Sequence, residues 1–374
     1  MLHRDRMSRR RLISALPLLF LLGSLDSTKS QAEPVPLTVA TQNLYIGADL
    51  GPIFQSTTLS QALIATADAI NDVKLNDFQK RATAIATDIN NSGAPLLIGL
   101  QEASIINISG SVGTLSLDYT SILLKALADQ GLSYGVVGTN SYTTSLNVPG
   151  IINATVIDQD VVLGRTDVQG FSTTSTAVDY TTNLSGTFLG QNITIERGYV
   201  DVNATLNGTE FQFIDTHLES NSEAVRIAQA TQLANDLSGD TIPTIVVGDF
   251  NANPGTTPYT IMLQAGFIDV PAALGVTGPT CCQAEDLDNP TSILRNRFDY
   301  IFGKGLESII SADLITDVPF EDVRPRWGSD HAGVVATVAI EGEEVTPVVE
   351  PSSAGIMASA MFLSVLWYGA RRKV

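Results

Sequence analysis

The most constraining feature of this sequence is an apolar run that ends abruptly in polar residues, I-V-V-G-D-F-N-A-N-P-G at Ile245–Gly255. The first three residues predict a buried strand, and the closing Asn-Pro-Gly predicts a loop. Because side chains alternate in extended chain, we expect Asp249 and Asn251 to point the same way, with Phe250 turned towards the core. A carboxylate and a carboxamide at one strand end can position an attacking water, so this stretch predicts a catalytic site.

Several other apolar runs end in the same way, and they alternate with segments of helical periodicity. We expect strands over residues 37–46, 95–100, 154–165, 193–206, 210–217, 245–247, 298–302 and 334–340, and helices over 59–89, 117–130 and 222–237. The strand, helix, strand order across residues 210–247 is typical of two-layer α/β packing. No internal repeat is visible, so residues 33–341 are expected to form a single domain.

The first 32 residues have the features of a secretory signal peptide. A basic region ends at Arg9–Arg11, an apolar run covers residues 12–25, and Ser30–Ala32 has the small-x-small pattern of a cleavage site. The alternative, an uncleaved membrane anchor, is disfavoured because a span needs roughly 20 apolar residues. The sequence therefore predicts an exported protein.

The C-terminal end predicts a hydrophobic anchor or a sorting tail over residues 354–374. A charged, proline-containing linker over 342–353 precedes it, and the apolar run is followed by Arg371–Lys373. Its 17 uncharged residues, 354–370, are a marginal length for a membrane span. The pattern V-E-P-S-S, apolar run, R-R-K resembles the bacterial PEP-CTERM sorting tail, although Val349 stands where that pattern has proline. We expect a cell-surface or extracellular location, with the membrane as a partner through this tail.

The charge of the chain argues against a large basic nucleic-acid footprint. The formal net charge is −18, and removing the +4 of residues 1–32 and the +3 of residues 371–373 leaves about −25 on the remainder. A surface of that sign repels phosphate except where a bound divalent metal restores the attraction. Small or lipid substrates are therefore favoured over duplex DNA.

The two cysteines, Cys281 and Cys282, are adjacent. A disulfide framework within the chain is excluded, and a metal site needs more ligands than this pair supplies. We expect a structural role, either as a disulfide between neighbours or as two small buried side chains, rather than a metal or redox function.

Polar side chains at the predicted strand ends form the candidate site. Outside residues 1–32 the sequence has two histidines. His217 lies at a predicted strand end, two residues after Asp215, and His331 follows Asp330 just before a predicted strand. Carboxylates and carboxamides occupy comparable positions at Asn43, Glu102, Asp249, Asn251, Asp299 and Asp330. Each alone has an ordinary structural explanation, because Asn and Asp commonly end strands. Together they predict oxygen ligands for a hard cation such as Mg²⁺, rather than a zinc site.

Six motifs follow one another within residues 38–340: T-Q-N-L-Y, G-L-Q-E, D-T-H-L, G-D-F-N-A-N-P, F-D-Y-I-F and G-S-D-H. In this order they resemble the endonuclease/exonuclease/phosphatase superfamily. That superfamily includes deoxyribonucleases, abasic-site endonucleases, neutral sphingomyelinases and inositol polyphosphate phosphatases. Two departures are Gln42, where tryptophan is usual, and residues 59–75, which look like an insertion. The resemblance implies an α/β fold, a four-layer α/β sandwich with two mixed β-sheets face to face, flanked by helices.

The resemblance also implies a metal centre. Asn43 and Glu102 would hold Mg²⁺, with Mn²⁺ or Ca²⁺ as alternatives, and Asp330 would ligate the ion or brace it through water. Arg165 and Arg197 are candidates to bind the substrate phosphate, since a guanidinium pairs with it bidentately. Both follow predicted strand residues, so pairing with surface carboxylates is the alternative.

The remaining motif residues match the catalytic positions of the superfamily. Asp249 and Asn251 would orient the attacking water and the scissile phosphate. His331, aligned by Asp299, would act as a general base or as a charged stabiliser, and His217 would donate to a non-bridging oxygen. This division suits phosphoryl transfer, in which positioning and charge neutralisation dominate catalysis.

The function expected from the sequence is an exported, Mg²⁺-dependent phosphoester hydrolase that cleaves a phosphodiester by direct attack of water. A lipid, small-molecule or nucleic-acid diester is the expected partner, with the first two favoured, and no protein partner is predicted. One alternative is an extracellular endonuclease. A second is an inactive surface binding module of the same fold, which is disfavoured because every expected catalytic position is filled.

Overall fold

Two mixed β-sheets stack face to face in the computed structural model, which describes residues 33–342. The predicted signal peptide, the linker from residue 343 and the C-terminal tail lie outside the described residues. The strands are β1 (Val35–Asn43), β2 (Leu97–Gln101), β3 (Ile105–Gly110), β4 (Leu115–Asp118), β5 (Tyr134–Val148), β6 (Ile152–Arg165), β7 (Phe171–Asp179), β8 (Leu184–Phe188), β9 (Gln191–Ile195), β10 (Gly198–Leu206), β11 (Thr209–His217), β12 (Thr244–Asp249), β13 (Ile268–Asp269), β14 (Asp299–Lys304), β15 (Ser308–Ile315) and β16 (Gly333–Ile340). The helices are α1 (Gly51–Phe54), α2 (Leu59–Leu75), α3 (Phe78–Asn91), α4 (Tyr119–Asp129), α5 (Glu223–Asp236), α6 (Thr257–Gln264) and α7 (Val270–Ala273).

The first sheet has the order β15-β16-β1-β2-β6-β3-β4, with β5 paired to β6. The second has the order β13-β14-β12-β11-β10-β7. Within each sheet one central pair is parallel, β1 with β2 and β11 with β12. The other pairings are antiparallel, so both sheets are mixed.

Alternating side chains of the central strands enter different cores, which is why these strands are apolar throughout. On β12, Ile245 and Val247 join the core between the sheets, while Val246 joins the core beneath α5 and α6. On β2, Leu97 faces the core between the sheets and Ile98 faces the core under α3 and α4. Helices therefore cover both outer faces, and the predicted four-layer sandwich is confirmed.

The helix predicted over residues 59–89 is two helices, α2 and α3. The chain breaks at Asn76 and Asp77, where Asp77 adopts a positive φ of 24° and its side chain caps α3 by accepting from Lys80 N. Asn76 is buried and donates to the carbonyl oxygens of Gly47 and Glu285. The periodicity continues across the break because both helices pack on the same core.

The strand predicted over residues 193–206 is also divided. The chain leaves β9 and enters β10 around Arg197, and β9 pairs with β8 in a separate hairpin. A tight hairpin turn joins β10 and β11, and Asn207 and Gly208 in this turn both have positive φ, as such a turn requires. Among the helices of residues 33–342, none combines the length and apolarity that crossing a membrane requires.

Candidate active site

Parallel pairing brings the predicted site residues to one edge of the sandwich. In the first sheet Asn43, the last residue of β1, lies beside Gln101, so Glu102 follows immediately at the same edge. In the second sheet His217 pairs with Asp249, and Asp249 pairs in turn with Asp299 of the antiparallel strand β14. Because the two sheets face each other, these strand ends meet across the interface.

Asn43 joins the two sheets within this site. Its Nδ2 donates to Glu102 Oε1 at 3.1 Å and to Asp249 Oδ2 at 3.1 Å, while its Oδ1 accepts from Tyr45 N at 2.9 Å. The second oxygen of Glu102 accepts from Ile46 N at 2.9 Å. The loop after β1 therefore fixes both side chains that were predicted to bind a metal.

At two positions in the motifs, steric crowding explains why the residue is glycine. Gly248 of G-D-F-N has φ 138°, and a Cβ there would lie 1.9 Å from the carbonyl oxygen of Thr216. Gly99 of G-L-Q-E leaves room for the buried Asp215, whose Oδ1 would lie 2.4 Å from a Cβ at that position. A side chain at Gly248 would therefore collide with the neighbouring strand β11, and one at Gly99 would collide with residues of the facing sheet.

Asp249 occupies the centre of the site. Its Oδ2 lies 3.6 Å from Nε2 of His217 and 3.8 Å from Nε2 of His331, and its Oδ1 accepts from the backbone N of Asn251 at 2.8 Å. Asn251 Nδ2 donates to the Leu218 carbonyl at 3.0 Å. Phe250 is buried among aromatic side chains of the outer core, as the alternation predicted.

His331 is held by a carboxylate. Its Nδ1 lies 2.8 Å from Asp299 Oδ2, and its backbone N donates to Ser329 Oγ at 3.2 Å. The Ser329 hydroxyl donates to the Asn43 carbonyl at 2.7 Å, which ties the S-D-H loop to the end of β1. Burial by itself lowers the pKa of His331, but Asp299, Asp330 and Asp249 outweigh it and hold that pKa well above its usual value. His331 is therefore imidazolium at neutral pH.

His217 lies beside a positively charged group rather than a carboxylate on its Nδ1 side. Its Nδ1 lies 3.0 Å from Nη1 of Arg197, which is itself paired with Asp158 Oδ2 at 2.8 Å. Burial, the Arg197 guanidinium and then His331 lower the pKa of His217 well below its usual value. His217 is therefore neutral, and its Nε2 faces Asp249.

The donor set fits a hard divalent cation. The three predicted ligands, Asn43, Glu102 and Asp330, offer only oxygen atoms or a carboxamide, which suits Mg²⁺. Burial raises the pKa of Asp330 to about 6 and that of Asp249 to about 7, with neighbouring carboxylates adding to both shifts. The raised pKa values show that the carboxyl groups of Asp330 and Asp249 have too little positive charge around them to favour ionisation, and a bound divalent ion would supply that charge. Asp249, Asp299 and His331 also offer ligand atoms that lie within 4.8 Å of one another.

A family model described as the Endonuclease/Exonuclease/phosphatase family matches residues 75–331. The chain belongs to the endonuclease/exonuclease/phosphatase family. Members are metal-dependent phosphoesterases and nucleases, so the predicted enzyme class, a metal-dependent phosphoric ester hydrolase, is confirmed. The matched range contains the predicted site residues except Asn43, which precedes it. No curated protein sequence matches the chain significantly.

Solved structures share the fold of this family member at low sequence identity. An endonuclease/exonuclease/phosphatase family protein from Bacteroides thetaiotaomicron has a TM-score of 0.52 and 19% identity, covering 82% of this chain and 99% of its own. A mannosyl-6-phosphatase from the same organism has a TM-score of 0.52 and 19% identity, covering 81% and 99%. A family protein from Bacteroides vulgatus has a TM-score of 0.52 and 15% identity, covering 82% and 100%.

The two candidate phosphate-binding arginines of this family member occupy different places. Arg165 pairs with Asp167 at 2.7 Å, and its backbone N donates to the carbonyl of Leu96, just before β2 begins. Glu102 follows the other end of β2, so the structure does not bring Arg165 to the site. This placement corrects the sequence-based expectation, because β6 runs antiparallel to β2 and carries Arg165 to the opposite edge. Arg197 lies in the site against His217, with its side chain 11% exposed.

Cys281 and Cys282 form a disulfide between neighbours, one of the two structural roles expected from the sequence. Cys281 is buried, and Cys282 is exposed. The disulfide lies directly beside the candidate site, because Cys281 forms a β-bridge with His331 and Cys282 Sγ lies 4.0 Å from His331 Nε2. The sequence contained no signal for this contact.

Sequence reasoning also missed three residues that support the site. Arg81 is fully buried and donates to the carbonyl oxygens of Leu44, Tyr45, Asn76 and Gly328, so it anchors loops that flank the predicted metal ligands. The other two are Asp158, which pairs with Arg197, and Ser329, which ties Asn43 to His331. The sequence offered only weak signals for these two residues. Asp158 is a carboxylate within a predicted strand, and Ser329 is the first residue of the S-D-H motif.

Proposed function

We propose that this chain is an exported, Mg²⁺-dependent hydrolase that cleaves a phosphodiester by direct attack of water. The observation that carries the proposal is that three side chains converge on one atom, Oδ2 of Asp249. Asp249 Oδ2 lies 3.1 Å from Asn43 Nδ2, 3.6 Å from His217 Nε2 and 3.8 Å from His331 Nε2. Side chains from both sheets thus converge at the strand ends, where the proposal places the attacking water and the phosphate group.

Asn43 and Glu102 would hold the metal, with Asp330 as a direct or water-mediated ligand. When bound, a divalent ion polarises a phosphoryl oxygen and lowers the pKa of a coordinated water. The contacts of Glu102 with Asn43 and Ile46 keep its carboxylate in place before any ion binds. The protein therefore does not have to reorganise the glutamate to receive the ion.

The two histidines divide the remaining work. His331 is imidazolium held by Asp299, so its Nε2–H donates to the phosphoryl oxygens and stabilises the charge that develops there. His217 is neutral, and because Nδ1 accepts from Arg197 its proton is on Nε2, from which it donates to a non-bridging oxygen. Asp249 accepts a hydrogen bond from the attacking water and directs it at phosphorus, and Asn251, joined to Asp249 Oδ1, sets the position of that carboxylate.

A small or lipid phosphodiester suits this enzyme better than duplex DNA. The chain outside its two ends carries about −25 charges, so long-range attraction to a polyanion is absent. One structure of the same fold is named a mannosyl-6-phosphatase, which acts on a phosphomonoester, so a monoester belongs in the test beside the diesters.

The test is hydrolysis by the full purified chain with Mg²⁺, compared with and without a chelator. The substrates are sphingomyelin vesicles, bis-p-nitrophenyl phosphate, p-nitrophenyl phosphate and supercoiled plasmid, with His331→Ala as the matched control. We expect Mg²⁺-dependent cleavage of a lipid or small diester that is lost in His331→Ala. Cleavage of plasmid alone would favour the endonuclease alternative, and cleavage of the monoester alone would exclude a phosphodiesterase.

Absence of hydrolysis on all four substrates would favour the inactive binding module. Export is tested separately by intact-mass measurement of the protein recovered from the source cells, where the proposal expects a mature chain that begins after Ala32. A chain recovered only with Met1 still attached would contradict export through a cleaved signal.

A further inference from the structure

We propose that reduction of the Cys281–Cys282 disulfide creates a binding site for a thiophilic divalent cation such as Zn²⁺ or Cd²⁺. The ligands are the two cysteine sulfurs and Nε2 of His331. This site differs from the oxygen site proposed for Mg²⁺ in its ligand atoms, because it uses two sulfurs and an imidazole nitrogen rather than carboxylate and carboxamide groups. Nothing in the sequence pattern predicted it, since the cysteine pair and His331 are 49 residues apart.

The three ligand atoms already lie close together. Cys281 Sγ, Cys282 Sγ and the ligating nitrogen of His331 are within 4.8 Å of one another, and the Cys282 Sγ to His331 Nε2 distance is 4.0 Å. Tetrahedral zinc, with bonds of about 2.3 Å to sulfur and about 2.0 Å to nitrogen, places such atoms roughly 3.5 Å apart. The Cys282 Sγ to His331 Nε2 distance is therefore roughly half an ångström longer than zinc requires, and the two sulfurs must move apart to roughly 3.8 Å once the S–S bond is broken.

The backbone around the cysteines holds this arrangement independently of the disulfide. Cys281 forms a β-bridge with His331, Ala332 N donates to the Thr280 carbonyl at 2.8 Å, and Gln283 N donates to the Asp330 carbonyl at 2.8 Å. These bonds flank the cysteine pair on both sides. Reduction of the disulfide thus leaves the sulfurs beside the histidine rather than releasing them.

His331 is oriented as a metal-ligating histidine. Its Nδ1 is held 2.8 Å from Asp299 Oδ2, which fixes the ring with Nε2 4.0 Å from Cys282 Sγ. A carboxylate behind the distal nitrogen is the usual companion of a histidine that binds zinc, because it orients the ring and increases the basicity of the ligand. Two thiolates and an imidazole select Zn²⁺ or Cd²⁺ over Mg²⁺, which prefers oxygen.

The disulfide can be reached by a reductant. Cys282 is exposed while Cys281 is buried, so a small dithiol can attack Cys282 Sγ. That attack breaks the S–S bond and forms a mixed disulfide, and the second thiol of the reductant then closes its own disulfide. The protein gains two electrons and two protons as two thiols. Binding of a divalent cation forms two metal–sulfur bonds and one metal–nitrogen bond, and it releases those two protons together with the Nε2 proton of the His331 imidazolium.

Occupation of this site removes Nε2 of His331 from catalysis, a consequence that rests on the proposed function. The reduced enzyme is then inhibited by low concentrations of Zn²⁺ or Cd²⁺ in the presence of excess Mg²⁺, while the oxidised enzyme is not. Reoxidation after chelation of the cation restores activity.

The experiment is a Cd²⁺ titration of the full chain in excess Mg²⁺, followed by calorimetry and by the sulfur-to-cadmium ultraviolet absorption band. The chain is compared after reduction with a dithiol, which is removed without air, and in its oxidised form. We expect one Cd²⁺ per reduced chain with the absorption band, and neither signal in the oxidised chain. His217→Ala is the matched control, since it alters the other histidine and is expected to retain Cd²⁺ binding.

The outcomes separate the two proposals. Equal Cd²⁺ binding by the oxidised chain, or undiminished binding in the Cys281→Ser/Cys282→Ser double variant or in His331→Ala, would overturn the metal site. The oxidised and reduced wild-type chains need no substitution, so the comparison stands even where a variant fails to fold. Reduction-dependent binding in a chain that hydrolyses no phosphoester supports the site and overturns the proposed function.

Discussion

The Nη1 atom of Arg197 lies 3.0 Å from Nδ1 of His217. A guanidinium can only donate, so Nδ1 of His217 must accept and the proton of the neutral ring must be on Nε2. His331 has the reverse arrangement, because its Nδ1 faces the Asp299 carboxylate at 2.8 Å and must carry a proton. The two histidines of the site are thus fixed in different protonation states by partners of opposite charge.

Arg197→Gln is expected to let the neutral His217 ring populate both of its tautomers. Without the guanidinium, Nδ1 is no longer obliged to accept, and a mixture of tautomers lowers the fraction of enzyme that donates from Nε2. We expect kcat to fall by about 10–100-fold, as for a group that orients another. The decisive measurement is the ¹⁵N chemical shift of the His217 ring, which distinguishes protonated from unprotonated nitrogen.

Asp158→Asn is the control for this variant. It removes the partner of Arg197 at 2.8 Å but leaves the guanidinium beside His217, so the ring shifts of His217 are expected to remain those of the wild type. If Arg197→Gln lowers kcat while the ring shifts stay unchanged, Arg197 does not act through the tautomer of His217.

His331 and Asp299 are expected to act as one unit. Both His331→Ala and Asp299→Ala should lower kcat by about 10²–10⁴-fold, the usual range for a positioned acid–base group. The double variant should be no worse than His331→Ala, because Asp299 contributes through the ring that it holds. Multiplicative losses in kcat for the two substitutions would show that Asp299 has a separate role.

Glu102→Gln is expected to weaken the dependence on Mg²⁺. The substitution retains one oxygen but removes the charge that binds the cation, so half-maximal activity should need roughly 10–100-fold more Mg²⁺. The measurement is a Mg²⁺ titration of the initial rate, with the exposed Glu307→Gln as the control. An unchanged titration would exclude Glu102 as a ligand.

Sequence reasoning located the strand ends well because it needs only local information there. Asn43, Glu102 and Asp249 lie at the ends of apolar strands. Parallel pairing places Asn43 near Glu102 and His217 beside Asp249, and the stacking of the two sheets then brings the two groups together. The strand predicted over residues 154–165 corresponds to β6, but its hairpin partner β5 was not predicted, since the outer half of β5 is rich in Ser, Thr and Asn and resembles a turn region. Its strands are stabilised by each other rather than by a continuous apolar face.

Contacts between distant segments were not predictable from one sequence. Arg197 meets Asp158, 39 residues earlier in the chain, and Cys282 meets His331, 49 residues later. Neither pair has a spacing that an isolated strand or helix would impose. The same holds for Arg165, which like Arg197 follows predicted strand residues but lies at the opposite edge because of the direction of β6.

The stability of the protein is expected to depend on pH through two buried aspartates between the sheets. Asp215 and Asp160 each have a buried Oδ2 without a hydrogen-bond partner, and Asp215 Oδ1 accepts from Gln101 Nε2. Burial raises the pKa of Asp215 well above its usual value, and burial followed by repulsion from Asp215 and Asp158 does the same for Asp160.

These raised pKa values fix the sign of the effect. The folded chain retains protons that the unfolded chain loses near its ordinary aspartate pKa of about 3.9. The stability they confer is complete below that pH and declines as pH rises towards the folded pKa, with a slope of up to about 1.4 kcal/mol per pH unit for each proton. Asp215→Asn removes one such proton and should flatten the decline in the free energy of unfolding, measured by urea denaturation between pH 5 and pH 8. The exposed Asp322→Asn should keep the wild-type slope, and an equally steep decline in Asp215→Asn would show that Asp215 is ionised in the folded chain.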